Sequence, residues 1–380
     1  MMTSLDALTE QLLKEVMEGN LENVQNLLHR GANIAGRTPA AKQTPLTLAA
    51  RSGNLLIVRE LLKDSRANVP DLIDIPAGVV ALSWASRRGH AEVVRELFLC
   101  PWVMANVTYY YHTRGRFDPL VMASGNGHAE VVREMLHCCF WVNVNATDLD
   151  GSTALILASK NGRDRVVCEL LKHDKIDAGA RGSRFGNTAS MEACANGHTA
   201  VVHMLLMHLD ERNVNAKDTR FGCTALMLAS ATGQAEVVRE LLLDDRVATN
   251  AVTDLGETAF HLACSHGQPD VVREMLLHDR VHVNIKNFHG DTALLSACSF
   301  GHVTADRMCR LSPRDRRRRM GVITDEDFTT FVRGMVRRRK RVILELLKSA
   351  RVDLNAKDLK GRVAFFWVIH HNDLGLIHAF

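Results

Sequence analysis

The 380-residue sequence contains no uninterrupted apolar run near the roughly 18 residues that a membrane-spanning helix requires. Its first turns read as a polar amphipathic helix rather than a charged stub before an apolar core, so neither a signal peptide nor a membrane anchor is expected. Proline is scarce, at 8 residues, and with 46% hydrophobic and 24% charged residues the chain is neither collagen-like nor broadly disordered. Its 9 cysteines are scattered singly apart from Cys138 and Cys139, and no Cys-x-x-Cys pair occurs. That pattern indicates neither a disulfide framework nor a zinc site, and implies a reducing, intracellular compartment. Also missing are a Gly-x-x-x-x-Gly-Lys phosphate loop, a His-Glu-x-x-His pair, a Gly-x-Ser-x-Gly elbow, and any carboxylate pair beyond ordinary helix-surface neighbours such as Glu236 and Glu240. No catalytic residue, cofactor or metal ligand is therefore expected, and the chain does not read as an enzyme.

What the sequence does have is a period. The pattern Thr-Ala-Leu-x-x-Ala-small-x-x-Gly-His/Gln begins clearly at Thr153, Thr224, Thr258 and Thr292. It begins more weakly at Thr44, Val80, Asp118 and Thr188, and in degenerate form at Thr329 and Val363, with successive spacings of 34 to 38 residues. Each copy spells out a short helix. Threonine suits the N-cap, Pro45 and Pro119 suit the first helical position, and the later glycine permits a left-handed stop. A second amphipathic helix follows, as in Ala91 to Leu99, Ala129 to His137, Ala235 to Leu243 and Pro269 to Leu277, with Val-Val and Leu-Leu at helical spacing. Then comes an extended finger such as Val214 to Asp218 or Leu354 to Asp358. Helices this short are marginal alone, so each pair must stack on its neighbours, and an all-α solenoid of about eleven units is expected.

The residues Thr258 to Ala263 (Thr-Ala-Phe-His-Leu-Ala), the Gly-His pairs at 89–90, 127–128 and 197–198, and the Asn-Ala-Lys-Asp finger resemble the ankyrin repeat. The resemblance runs from about residue 5 to 380, with Leu8 to Asn33 as the amino-terminal unit. It implies stacked helix-turn-helix units with β-hairpin fingers and a non-catalytic role as a scaffold or adaptor, with a partner protein held on the concave fingers and inner helices. The histidine of the family's Thr-Pro-Leu-His signature survives only at His261; the same position elsewhere is Thr47, Ser83, Val121, Ile156, Met191, Met227 and Leu295. Four of the 18 histidines fill the Gly-His slot, and Cys194, Cys264 and Cys298 share a register with Ser159 and Ser230, so both sets read as structural.

Candidate contact residues follow from the finger positions. Tyr109, Tyr110 and Tyr111 are the only tyrosines and stand together in a finger longer than its neighbours; they either meet a partner or turn inward to pack the finger. Arg-Phe pairs recur near the fingertips as Arg116 and Phe117, Arg184 and Phe185, and Arg220 and Phe221, with Phe288 and His289 in a similar place. Each Phe either covers the adjacent finger or contacts a partner. As the resemblance implies, outward first-helix positions such as Arg87, Asn126, Lys160, Asn161, Asn196, His266 and Phe300 join that surface.

Charge is segregated. Residues 303 to 362 hold 18 Lys and Arg against 8 Asp and Glu, whereas the formal charge of the whole chain is only +4. The basic residues cluster as Arg316, Arg317, Arg318 and Arg319, and as Arg337, Arg338, Arg339, Lys340 and Arg341. They support an alternative reading as a nuclear or nucleic-acid-associated regulatory factor, set against a simple solvated insertion with no aromatic residues interleaved for base stacking. The expected organisation is a capping unit at 1–40, regular repeats at 41–302, a basic insertion at 303–328 and degenerate, truncated repeats at 329–380. The apolar stretch from Phe365 to Ile369 with Leu374, Leu376, Ile377 and Phe380 either folds back on the preceding repeat or forms a docking surface. A monomer that binds protein is expected, cytoplasmic unless the arginine segment carries it to the nucleus.

Overall fold

The computed structural model describes residues 4–38, 43–67, 75–104, 118–138, 142–182, 185–298, 325–370 and 374–379. The chain divides into two compact units, Met1–Arg184 and Phe185–Phe380.

In the first unit, first helices Ser4–Glu18, Pro45–Ser52, Ala77–Arg88, Pro119–Asn126 and Ala154–Lys160 alternate with second helices Leu21–His29, Leu55–Leu62, Ala91–Leu99, Ala129–Cys138 and Asp164–Leu171. In the second unit the pairs are Ala189–Asn196 with Thr199–Leu206, Ala225–Thr232 with Ala235–Leu243, and Ala259–Ser265 with Pro269–Leu276. Beyond them lie a first helix at 293–298, the long helix Asp325–Leu347, and the short helices Ala364–His370 and Leu374–Ile377. Within a unit, each first helix packs on the next first helix and each second helix on the next second helix, so no pair buries its apolar face alone. Among the described residues no named strand forms; the fingers are closed turns, and an isolated bridge joins Thr147 to Thr153.

The caps follow the sequence. The side chains of Thr44, Thr153, Thr188, Thr224 and Thr258 each accept from the backbone N–H three residues on, and Asp118 accepts from Leu120 and Val121. The second helices bury their Val-Val pairs and the first Leu or Met that follows; Val93, Val94 and Leu97 are typical, each burial contributing roughly 1.5–3 kcal/mol, while the outer Leu56, Leu99 and Leu243 stay exposed. His90 and His128 are structural: each lies against the glycine that ends the preceding first helix, and each Nε2 donates to a carbonyl near that end, Arg51 O at 3.2 Å and Arg87 O at 2.9 Å. Gln268 does the same to Ala231 O at 3.0 Å.

The structure differs from the sequence reading in two places. The third unit's first helix begins at Ala77 behind Pro76, not at Val80, because proline fixes the N-terminal dihedral where no threonine is available to cap. Thr329 starts no unit: the helix Asp325–Leu347 runs through it unbroken for 23 residues. Its Arg and Lys residues favour helix, and no turn sequence interrupts them. Val342, Ile343 and Leu346 are buried against the helix Pro269–Leu276, so this long helix supplies the second helix of the unit that opens at Thr292. Ten helix pairs, not eleven, stand among the described residues.

Candidate finger surface

The fingers are rigid because each residue of the Asn-Ala-Lys-Asp motif has a partner. Asn215 clamps the next loop through both side-chain atoms, donating to Arg246 O at 2.8 Å and accepting from Ala248 N at 2.7 Å. Lys217 Nζ reaches Val252 O at 2.6 Å in the next finger. Asp218 Oδ1 accepts from the N–H groups of Arg220, Phe221 and Cys223, knitting its own tip. Asn145, Asn250 and Asn284 repeat the clamp, and Asn287 and Asp358 repeat the knot.

Successive tips of the second unit are joined by backbone bonds, Thr219 N to Phe185 O at 2.9 Å, Asp254 N to Phe221 O at 3.0 Å and Phe288 N to Leu255 O at 3.2 Å. On this ladder stand Phe185, Phe221, Leu255 and Phe288, and Leu359 follows against Gly290 of the Phe288 finger; the five are from 37% to 79% exposed. The Arg220 guanidinium carbon lies 4.7 Å from the ring centroids of both Phe185 and Phe221, so the cation is clasped between two successive fingertips. Phe288 lies over the preceding finger: a Cβ at Gly256, whose φ is +77°, would fall 2.6 Å from Phe288 Cδ1. Phe288 therefore covers its neighbour with one face while most of its surface stays in solvent. His289 follows at the tip, its N–H bonded to Asn287 Oδ1 at 2.9 Å.

The remaining sequence candidates divide. Tyr109, Tyr110, Tyr111, Arg116, Phe117, Arg184, Phe300 and Arg316 to Arg319 lie outside the described residues. Of the second basic run, Arg337, Arg338 and Arg341 are exposed on the long helix, whereas Arg339 is 7% exposed. Arg339 lies against Gly267 and donates to Ser265 O at 3.0 Å, the place that Gln268 holds one unit earlier, and burial lowers its pKa. Sequence reasoning missed that role, and the signal was available: Arg339 precedes Val342 by the interval that separates Gln268 from Val271.

Arg246, Arg280 and Arg351 were also unforeseen. Each turns its guanidinium onto carbonyls at and beyond the end of the preceding second helix, as Arg351 does with Leu276 O at 2.8 Å and Val281 O at 2.6 Å. In the carboxyl-terminal segment Ala364, Val368 and Leu376 are buried while Phe366 and Ile369 stay exposed, with Arg362 stacked 4.3 Å from the Trp367 centroid.

Among the described residues Cys168 is an exposed thiol, whereas Cys100, Cys194, Cys223, Cys264 and Cys298 are buried. Burial pushes the Cys194 and Cys264 thiols far above their ordinary range, and Cys298 up to about 12. His261 is buried with Nδ1 3.3 Å from Thr258 N and Nε2 3.1 Å from Asp291 O, and burial lowers its pKa. At two of the positions where that histidine is absent, the sulfurs of Met191 and Met227 accept from the N–H of Thr188 and Thr224. Among the described residues no three His, Cys, Asp or Glu side chains converge as metal ligands, and no helix is long and apolar enough to cross a membrane.

Compared with known proteins, the chain matches the family described as "Ankyrin repeats (3 copies)" four times, over residues 12–109, 82–182, 175–254 and 226–308. The crystal structure of the ankyrin repeat domain of Bcl-3, described as a unique member of the IkappaB protein family, is similar at TM-score 0.50 and 25% identity, covering 57% of this chain and 92% of that one. It is one of 445 similar solved chains, so the fold alone selects no partner. Among curated proteins no sequence matches. Ankyrin repeats are in general protein–protein interaction modules. With the repeat matched over most of its length and its caps, clamps and fingers in place, this chain belongs to the ankyrin-repeat family.

Proposed function

We propose that the protein is a non-catalytic scaffold that holds a partner protein on the fingertips of its second unit, through Phe185, Arg220, Phe221, Leu255, Phe288, His289 and Leu359. The observation that carries this reading is the exposed apolar row on a backbone already fixed by finger-to-finger hydrogen bonds. Exposed aromatic and aliphatic side chains in a contiguous row are unfavourable in water unless something covers them, and a rigid row binds with little ordering cost. Arg220, held flat between two rings, keeps its N–H edges for a polar contact at the centre of the row. Nothing in the engaged histidines or the buried cysteines supports a reaction. The arginine-segment alternative is weakened by Arg339, which the fold itself uses.

The test is a nuclease-treated pull-down comparing wild type with a Phe221→Ser, Phe288→Ser, Leu359→Ser variant of unchanged melting temperature. Loss of the captured protein in the variant supports the fingertip reading. Retention there, with loss when Arg337, Arg338 and Arg341 are changed to Gln, moves the function to the basic helix.

A further inference from the structure

On the second helices of the first unit, three arginines are neutralised in a ladder from one repeat to the next: Arg59 with Glu96 at 2.9 Å, Arg95 with Glu134, and Arg133 with Glu169 at 3.0 Å. The first helices Pro45–Ser52, Ala77–Arg88, Pro119–Asn126 and Ala154–Lys160 carry Arg51, Arg87, Arg88 and Lys160 and not one acidic residue. Among the described residues, the one side-chain hydrogen bond of Arg51 is neutral, 3.4 Å to Gln43 Oε1, and neither Arg87 nor Arg88 forms an ion pair.

These cations are also brought together. The guanidinium carbons of Arg51 and Arg87 lie 4.7 and 5.4 Å from the centroid of the Trp84 ring, so they stand within about 10 Å of each other, the range over which like charges still interact at ordinary ionic strength. Stacking on a tryptophan face holds a guanidinium flat and leaves its N–H edges free to bind a carboxylate through two hydrogen bonds. Beside them opens a depression of about 510 Å³ lined by Trp84, Arg87, Arg88, Asn126 and His128. The whole unit has 21 basic and 20 acidic residues, so the unpaired charge is a local patch and not a track along the molecule. A nucleic acid requires such a track of phosphate contacts; a short anionic peptide does not.

We infer that the first-helix face around Trp84 binds a short Asp/Glu-rich segment of a partner protein, with Arg51, Arg87 and Arg88 taking the carboxylates and Trp84 holding the first two in place. This inference rests on the reading of the chain as a protein-binding scaffold, but it concerns a separate surface with a separate chemistry.

The test uses the full chain and three fluorescein-labelled probes: an alternating Glu-Gly peptide, a Lys-Gly peptide and single-stranded oligothymidine, each titrated by anisotropy. Two triple variants remove the same charge from the same unit, Arg51→Gln, Arg87→Gln, Arg88→Gln on the first helices, and Arg59→Gln, Arg95→Gln, Arg133→Gln on the second. Binding of the Glu-Gly peptide that weakens about tenfold or more in the first triple and is little changed in the second supports the inference. Equal weakening in both triples reduces the effect to net charge and overturns it, as does failure of wild type to bind the peptide. Tighter binding of the oligonucleotide than of the peptide, lost in the first triple, replaces it with a nucleic-acid site. The first triple is scored only beside an unchanged thermal melt, and Trp84→Phe supplies an independent variant that keeps every charge while weakening the stack. The fingertip variant should keep peptide binding, so failure of that surface and failure of this one are told apart.

Discussion

His261 reaches Asp291 across the joint between two successive helix pairs, its Nε2 3.1 Å from the Asp291 carbonyl, while Nδ1 faces the Thr258 N–H within its own helix cap. The first contact requires a proton on Nε2 and the second requires none on Nδ1, so the fold holds the ring neutral. Burial lowers its pKa below the ordinary 6.5. The depressed value means that the unfolded chain takes up a proton first as the pH falls, so the fold loses stability below about 6.5 down to the folded value. His261→Met, which copies the residue found at 191 and 227, should lower the melting temperature at pH 8 and flatten its decline between pH 7 and 5. A variant whose decline matches wild type would place the acid sensitivity elsewhere.

Asp118 caps its helix where other units use threonine, and burial pushes its carboxyl up to about 6. With the folded value above the unfolded 3.8, the folded state holds the extra proton between those values, so this group makes the protein more stable as pH drops from 7 toward 4. Asp118→Asn retains the cap without the charge. It should raise stability at neutral pH by on the order of 1–3 kcal/mol and leave it unchanged near pH 4, as denaturant titrations at the two pH values will show.

The hydroxyls of Ser86, Ser124 and Ser159 are buried without a hydrogen-bond partner among the described residues. They occupy the register that Ala50, Cys194, Cys264 and Cys298 fill in other units, and an unpaired buried hydroxyl costs about 1 kcal/mol or more. Replacing all three by alanine should raise the unfolding midpoint in urea. A lowered midpoint would mean that the oxygen fills space that a methyl group cannot.

Arg339 donates to the carbonyl of Ser265 from the slot that Gln268 fills one unit earlier. Arg339→Gln should therefore be tolerated, whereas Arg339→Ala leaves the helix end without that donor and should cost about 1–2 kcal/mol in a thermal melt. Equal effects of the two substitutions would show that packing of the arginine stem, rather than its donor, holds the joint.

The parts of this structure that could be read from the sequence are those set by contacts inside one repeat. The threonine caps and the glycine stops lie within a few residues of their partners, and the buried Val-Val pairs recur at a fixed place behind them, so a fixed register exposes all three. Where a local signal conflicts with its surroundings the reading fails. Val80 stands in the threonine slot, but Pro76 had already started the helix; Thr329 looks like a cap, but helix-favouring residues carry the chain through it. The finger phenylalanines were visible as a pattern, yet the clasp of Arg220 between Phe185 and Phe221 depends on two fingers meeting in space. Arg51 and Trp84 are 33 residues apart in the chain, and only the stacking of one repeat on the next puts the guanidinium over the ring.

The arginines at 246, 280 and 351 give the second unit a direction. Each binds the open end of a helix belonging to the repeat before it, and the finger asparagines reach forward to the repeat after, so a repeat is finished only by its successor. Until its successor has packed against it, a repeat therefore keeps those carbonyls in water. Removing repeats from the carboxyl-terminal side uncovers the one before, whereas removal from the other side of this unit leaves every remaining arginine except the first with its helix end to bind.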